Sequence, residues 1–133
     1  MQEHEKWLEF AQEDLRQARY ILPGAFPRGV MFNCQQASEK ALKAYLAFKK
    51  QPIIKTHDLI KLLESCSSFD SEFRKMDDAA SYLNPLSTKF RYPEDYLAPN
   101  YDSAKLAIKH AGSILRLVAK RIKEPDTGQK NIF

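Results

Sequence analysis

The segment 30–50, VMFNCQQASEKALKAYLAFKK, constrains the fold of this chain more than any other. Placed at about 100° per residue, its small and apolar side chains cover more than half of a helix, and a narrow polar strip remains opposite. A helix with so wide an apolar surface has to be covered by several neighbours. We therefore expect the other elements to pack around it. The polar strip consists of Gln36, Glu39, Lys40, Lys43 and Lys50.

Apolar residues recur at helical spacing in four further segments: 4–22, about three turns from Thr56, 69–83 and 103–123. Thr56 and Asp102 are the expected N-caps of the third and fifth helices, because their side-chain oxygens can accept hydrogen bonds from free amides. The short connection between the first two helices predicts an antiparallel hairpin. The sequence therefore indicates an all-α fold.

The size and composition of the chain favour one compact unit. A chain of 133 residues can bury a real core but leaves little room for a second domain, so we expect a single domain over 1–124 and a flexible tail over 125–133. The net charge of +4 permits an anionic partner without requiring one. Cys34 and Cys66 fall on apolar helix faces, which predicts reduced, buried thiols. Without a membrane-length apolar run or a secretory signal at the N-terminus, the expected location is cytoplasmic, with no membrane contact.

The loop KFRYP at 89–93 is a candidate ligand contact. An arginine among aromatic rings can hold a phosphate while a ring stacks on a base, and here Arg91 is followed by Tyr92. The alternative is a loop held on the bundle by its aromatic side chains, with Arg91 paired to a nearby acid. Spacing alone leaves both interpretations open.

Other basic and titratable residues give weaker signals. Four basic residues on one face of the last helix could follow a phosphate backbone, but a solvated face explains them more simply. The three histidines have no metal-ligand spacing, and we find no phosphate loop and no nucleophile motif. We therefore expect no metal and no cofactor, and a stand-alone enzyme is disfavoured. The basic face consists of Lys109, Arg116, Lys120 and Lys123.

Three stretches, in this order along the chain, resemble the HEPN (higher eukaryotes and prokaryotes nucleotide-binding) domain family. They are FNCQQASEKALKAYL in the second helix, KTHDLIKLL at the start of the third, and FRYPEDY between the fourth and fifth. The resemblance extends from the first helix to about Lys123. It implies an up-and-down bundle of four main antiparallel helices plus one short extra helix, commonly paired into homodimers.

The resemblance also implies a function and a partner. HEPN-like domains of this type accompany a minimal nucleotidyltransferase in prokaryotes, often as a toxin-antitoxin pair, and bind nucleotide or RNA. Many members cleave RNA with an arginine followed four to six residues later by a histidine. No histidine follows an arginine at that distance here, and the position five residues after Arg91 is Tyr96. The chain therefore resembles the non-catalytic members that partner a nucleotidyltransferase.

On this interpretation the nucleotide-binding surface combines the second helix with the aromatic loop. Lys43 and Arg91 are the expected phosphate contacts, and Tyr92 is the expected stacking platform. One alternative is a homodimeric helical scaffold that binds no ligand. Another is an RNA-cleaving toxin whose general base, His57 or His110, would have to approach Arg91. The full candidate set is Gln36, Glu39, Lys40, Lys43, Arg91 and Tyr92.

Overall fold

The structure is a computed structural model that describes residues 1–88 and 99–123. The described part of the chain is helical and contains no strand, which confirms the all-α prediction. The expected tail, 125–133, lies outside the described residues, so the division into domain and tail remains a prediction. The helices are α1 (Glu3–Ile21), α2 (Pro27–Phe48), α3 (Leu59–Phe69), α4 (Asp77–Leu83) and α5 (Tyr101–Lys123), and short 3₁₀ segments occupy Leu22–Gly24, Ser71–Met76 and Asn84–Ser87.

The first two helices form the predicted antiparallel hairpin. Near one end the rings of His4 and Phe48 meet edge to face, with centroids 5.2 Å apart. Nearer the connection, Lys40 Nζ lies 2.7 Å from a carboxylate oxygen of Asp14. The start of α1 thus lies beside the end of α2, and a later residue of α1 lies beside an earlier residue of α2. This is the arrangement of antiparallel neighbours. The bundle is therefore built on a pair of long helices joined by a tight turn.

The second helix is the centre of the bundle, as its composition predicts. It packs against each of the other four α-helices. Its small residues allow close approach of the neighbours, and the larger Tyr45 fills the space beside Phe73, with ring centroids 4.5 Å apart. The fully or almost fully buried apolar residues of α2 are Val30, Met31, Cys34, Ala37, Ala41, Leu42, Ala44, Tyr45 and Leu46.

The prediction of a single helix over 69–83 is wrong in its boundaries. A 3₁₀ segment comes first, and its start is held by Asp70, whose side chain accepts a hydrogen bond from the Glu72 amide at 2.9 Å. Only seven residues then adopt α-helix, and a second 3₁₀ segment follows with Pro85 near its start. Apolar spacing of three and four residues does not distinguish a continuous α-helix from one with 3₁₀ turns at its ends.

Both predicted N-caps are also displaced. Asp58, rather than Thr56, accepts from the amides of the first turn of α3, and the Thr56 hydroxyl instead accepts from the Asp58 amide at 3.1 Å. Asn100, rather than Asp102, accepts from the Ser103 amide at 2.8 Å. In each case a better-placed oxygen lies two residues from the predicted cap.

The two cysteines are free and buried, as predicted. Burial raises the pKa of the Cys34 thiol to about 12, and it raises the pKa of Cys66 as well. These thiols are therefore protonated members of the core. Among the described helices, none combines the length and the apolarity that a bilayer-spanning segment requires.

Candidate functional site

The polar strip of α2 is largely covered rather than solvated. Glu39 and Lys43 retain only 4% and 6% of their accessible surface. They pair with each other, Glu39 Oε2 lying 2.9 Å from Lys43 Nζ. The Lys43 ammonium also lies 5.5 Å from the centre of the Trp7 ring on α1, within cation-π distance. A buried carboxylate and a buried ammonium are thus held together one helical turn apart.

The second oxygen of Glu39 contacts a residue from another part of the chain. Glu39 Oε1 lies 2.8 Å from Nδ1 of His57, whose side chain is 75% exposed. A carboxylate can only accept, so Nδ1 carries the proton in this hydrogen bond. In the neutral ring the lone pair is then on Nε2, the nitrogen left for solvent or a ligand. The contact with the buried Glu39 carboxylate therefore leaves Nε2 of the exposed His57 ring available.

Two glutamines attach the segment before α3 to α2. Gln35, which is fully buried, donates from Nε2 to the backbone carbonyl of His57 at 3.2 Å. Gln36 donates to Gln35 Oε1 at 2.7 Å. His57 is consequently held through both its backbone and its imidazole. We call Gln35, Gln36, Glu39, Lys43 and His57 the α2 polar cluster.

The start of α3 adds support from the other side of His57. The Asp58 side chain caps α3 and also accepts from the Asn84 amide group at 3.3 Å. Asn84 in turn accepts from the Leu59 amide at 2.8 Å. The carbonyl of His57 and the backbone just after it are therefore held by side chains from distant positions in the sequence, Gln35 and Asn84.

The predicted site residues are only partly brought together. Gln36, Glu39 and Lys43 belong to the α2 polar cluster, whereas Lys40 turns towards α1 and forms its ion pair with Asp14, both side chains being largely covered. Arg91 and Tyr92 lie outside the described residues, so their position relative to the cluster remains a prediction. Sequence reasoning missed the pairing of His57 with Glu39. The sequence feature that could have indicated this pairing is the position of His57, two residues before an apolar helix that must pack on α2.

Comparison with known proteins decides the family. The HEPN domain family matches residues 4–122, almost the whole chain. The chain belongs to the HEPN domain family. This confirms the resemblance drawn from the three sequence motifs.

Two solved structures share the HEPN bundle of this chain. TT1696 from Thermus thermophilus is 27% identical with a TM-score of 0.83, and the match covers 91% of this chain and 99% of that one. ST0689, an archaeal HEPN homologue, is 28% identical with a TM-score of 0.76, covering 92% of this chain and 99% of the other. No curated protein matches the chain.

The remaining histidines of this HEPN domain lie outside the α2 polar cluster. The ring of His110 packs 5.2 Å from that of Tyr82, and burial is the main cause that lowers the pKa of His110. His4 packs against Phe48 at one end of the hairpin. Within residues 1–88 and 99–123, no group of three potential ligands is arranged for a metal ion. His57 is therefore the histidine that we associate with the candidate site.

Proposed function

We propose that this HEPN domain binds a nucleotide or RNA and partners a minimal nucleotidyltransferase in a two-component system of the toxin-antitoxin type. The observation that carries the proposal is membership of the HEPN domain family over residues 4–122. The net charge of +4 is compatible with an anionic ligand. The α2 polar cluster is compatible with the proposal, because it gathers several polar groups beside an exposed imidazole.

The geometry suggests a division of labour within the proposed surface. Glu39 and Lys43 are too well covered to meet a ligand freely, so Glu39 serves to orient His57 and Lys43 serves to compensate the charge of Glu39. Gln36 and Lys40 are only partly buried, so the hydrogens that they do not use for Gln35 and Asp14 can be offered to a phosphate or a base. Arg91 and Tyr92 complete the proposed surface as phosphate contact and stacking platform.

Ligand titration tests the proposed surface. ATP or a short RNA should raise the melting temperature of the wild type, because a ligand that binds only the folded state stabilises it. Arg91→Ala should reduce this rise. Arg74→Ala is the control, since it removes an equal charge from an exposed position in the 3₁₀ segment before α4. Equal weak binding by wild type and Arg91→Ala would refute the assignment of Arg91.

Co-expression tests the proposed partner. The product of a neighbouring minimal nucleotidyltransferase gene should co-purify with this chain at a fixed stoichiometry. We also propose that the chain forms a homodimer, which sedimentation of the isolated protein measures. A tight dimer whose melting temperature no nucleotide raises would instead favour the ligand-free scaffold.

One contact favours RNA cleavage as a second candidate function. Cleavage needs a proton-transfer group beside a 2′-hydroxyl and a cation near the scissile phosphate. The imidazole of His57, oriented by Glu39, has the form of such a group. Its Nε2 would take the 2′-hydroxyl proton as that oxygen bonds to phosphorus. The bond to the 5′-oxygen would then break, and the leaving oxygen would take a proton from solvent.

Incubation with structured RNA tests this second candidate. His57→Gln should reduce cleavage by at least about a hundredfold, the usual contribution of a general base. Glu39→Gln should reduce cleavage less and change the pH profile of cleavage, because the His57 imidazole would stay in place without a carboxylate beside it. His110→Gln is the control and should cleave normally. No cleavage by the wild type would end this candidate.

A further inference from the structure

A second polar feature lies on the other side of α1, where this helix packs beside α5. The two helices leave a groove of about 280 Å³ between them. Its floor is apolar, formed by the buried side chains of Leu15 and Leu115. Three arginines, a glycine, Gln12 and Ala119 complete the lining. We call it the arginine groove, after Arg16, Arg19 and Arg116, which line it together with Gly112.

Two of the arginines converge on one point. A Cβ atom placed on Gly112 would lie 3.2 Å from Nη1 of Arg116 and 3.6 Å from Nη2 of Arg19. The guanidinium groups thus reach from different helices into the space that the glycine leaves open. Arg116 also donates from Nη2 to the Ser113 hydroxyl at 3.3 Å, which restrains the guanidinium group of Arg116. One small oxyanion could accept hydrogen bonds from both guanidinium groups.

Within the part of the chain that the structure describes, no ion pair balances the positive charge of the groove. Among residues 1–88 and 99–123, no carboxylate lies within 4.0 Å of a nitrogen of Arg16, Arg19 or Arg116. Glu13 lines the neighbouring depression but pairs with none of them. By contrast, Arg121 on the same helix lies 2.7 Å from Asp70. Like charges held close together repel, and an anion between them removes that repulsion.

We propose that the arginine groove binds a phosphate group. A carboxylate carries one negative charge and is satisfied by a single arginine in a side-on pair. Three guanidinium groups match better a phosphate monoester or free phosphate, whose charge at neutral pH is about −1.5 to −2 and whose oxygens point in several directions. The small size of the groove suits the phosphate itself rather than a large ligand.

The surroundings leave room for an organic group attached to the phosphate. A wider depression adjoins the groove and shares Arg16 and Arg19 with it. At its edge stands Tyr20, whose surface is 87% exposed. An exposed ring beside arginines is an arrangement on which a planar group can stack. The phosphate is the chemistry we assign, and its source is decided by experiment.

This site is independent of the proposed function. Along α1, Arg19 lies twelve residues from Trp7, which covers Lys43 of the α2 polar cluster, and this is about 18 Å at the rise of an α-helix. Loss of ligand binding at the cluster would leave phosphate binding in the groove intact. The reverse also holds, so failure of one proposal can be told from failure of the other.

A nuclear magnetic resonance titration tests the proposal. Gly112 is one of four glycines, so its amide signal can be followed readily. Inorganic phosphate, added against chloride of equal ionic strength, should shift this signal to saturation in the wild type. Arg19→Gln and Arg116→Gln should each weaken binding about tenfold, the effect of losing one charged hydrogen-bonding partner. Arg74→Gln removes an equal charge elsewhere and should bind as the wild type does.

A glycine variant separates binding from folding. Gly112→Ala places a methyl group 3.2 Å from Arg116 Nη1, so it should displace the guanidinium while favouring the helix. We expect a well-folded protein with weakened phosphate binding, read from the Ser113 amide. Adenosine monophosphate provides the second arm: tighter binding than inorganic phosphate indicates an ester ligand, and equal binding indicates phosphate alone. A linear shift without saturation, or equal binding by Arg74→Gln and the groove variants, would overturn the proposal.

Discussion

Glu39 Oε1 lies 2.8 Å from Nδ1 of His57, a contact that links the most buried helix of the bundle to an exposed imidazole. The same carboxylate pairs with Lys43 through its other oxygen. Both oxygens of one buried side chain are therefore occupied, one by a core ammonium and one by a surface residue. The stability of the core and the placement of His57 depend on the same group.

Lys43→Met should destabilise the protein strongly. Methionine fills much of the same space beside Trp7 but leaves the Glu39 carboxylate without its buried cation. Removing one partner of a buried pair costs about 3 kcal/mol or more, because the remaining charge is left poorly compensated. Urea denaturation monitored by circular dichroism measures the loss in free energy of unfolding.

The matched variants for this prediction are a double mutant and a surface lysine. Glu39→Gln combined with Lys43→Met should be less destabilised than the single Lys43→Met, because no uncompensated charge is left. Lys61→Met, on the exposed side of α3, should change stability by no more than about 0.5 kcal/mol. If Lys43→Met costs no more than Lys61→Met, the buried pair does not stabilise the fold.

His110 should make the protein less stable in mild acid. Desolvation by burial is the main cause that lowers its pKa below 6.5, and Lys109 lowers it further. As pH falls below 6.5, the unfolded chain therefore takes up the proton before the folded chain does. The stability present above pH 6.5 is lost as pH falls through the folded-state pKa. Urea midpoints measured between about pH 8 and about pH 5 should fall less in His110→Gln than in the wild type.

Asp78 offers an internal check on that assignment. Its charge raises the pKa of His110 and so opposes the effect of burial. Asp78→Asn should therefore lower the pKa of His110 further and increase the loss of stability on acidification. Parallel pH profiles for the wild type, His110→Gln and Asp78→Asn would contradict the role of His110.

Both thiols should be unreactive until the chain unfolds. Burial raises the pKa of Cys34 to about 12, and Cys66 is also buried and donates to the Leu42 carbonyl at 3.6 Å. The thiolate is the reactive form, so a disulfide reagent at mildly alkaline pH should modify the native protein slowly. In urea both of the chain's cysteines should react at once. Rapid reaction of one thiol in the native protein would show that the bundle opens locally there.

The central position of α2 could be predicted from its own residues. A run of alanines with Val30, Leu42 and Tyr45 on one face requires neighbours on that face, whatever those neighbours are. The cover over Glu39 and Lys43 could not be predicted in the same way. It is made by Trp7 and His57, which come from different parts of the chain, and a single-helix pattern contains no information about which distant residues meet it.

The arginine groove shows a second limit of sequence reasoning. The last-helix face that includes Arg116 is visible from spacing alone and is most simply explained as solvated. The approach of Arg116 to Arg19 depends on how α2 holds α1 and α5 side by side. The sequence also gives no indication that Gly112 has a role, because a glycine inside a helix is tolerated at a small cost in stability. Its role becomes apparent when the two guanidinium groups are seen to occupy the space beside it.

The end of α2 has a backbone conformation that its residue does not favour. Lys50 has a φ of 59°, in the left-handed region. Its amide donates to the Ala47 carbonyl at 2.9 Å, and the Gln51 amide donates to the Leu46 carbonyl at 2.9 Å. These two bonds form the Schellman motif that closes a helix. The position is one that glycine usually occupies, because a Cβ atom is strained there.

Lys50→Gly should therefore stabilise the protein. Relief of the left-handed strain, about 1 to 2 kcal/mol, exceeds the entropy that glycine adds to the unfolded chain, so a net gain of about 0.5 to 1 kcal/mol is expected. Lys50→Ala removes the same ammonium but keeps the Cβ atom, and it should give no such gain. Thermal and urea unfolding of the three proteins measure the difference. If Lys50→Ala gains as much as Lys50→Gly, the effect arises from the lost charge near α2 and not from the backbone, and the strain argument fails.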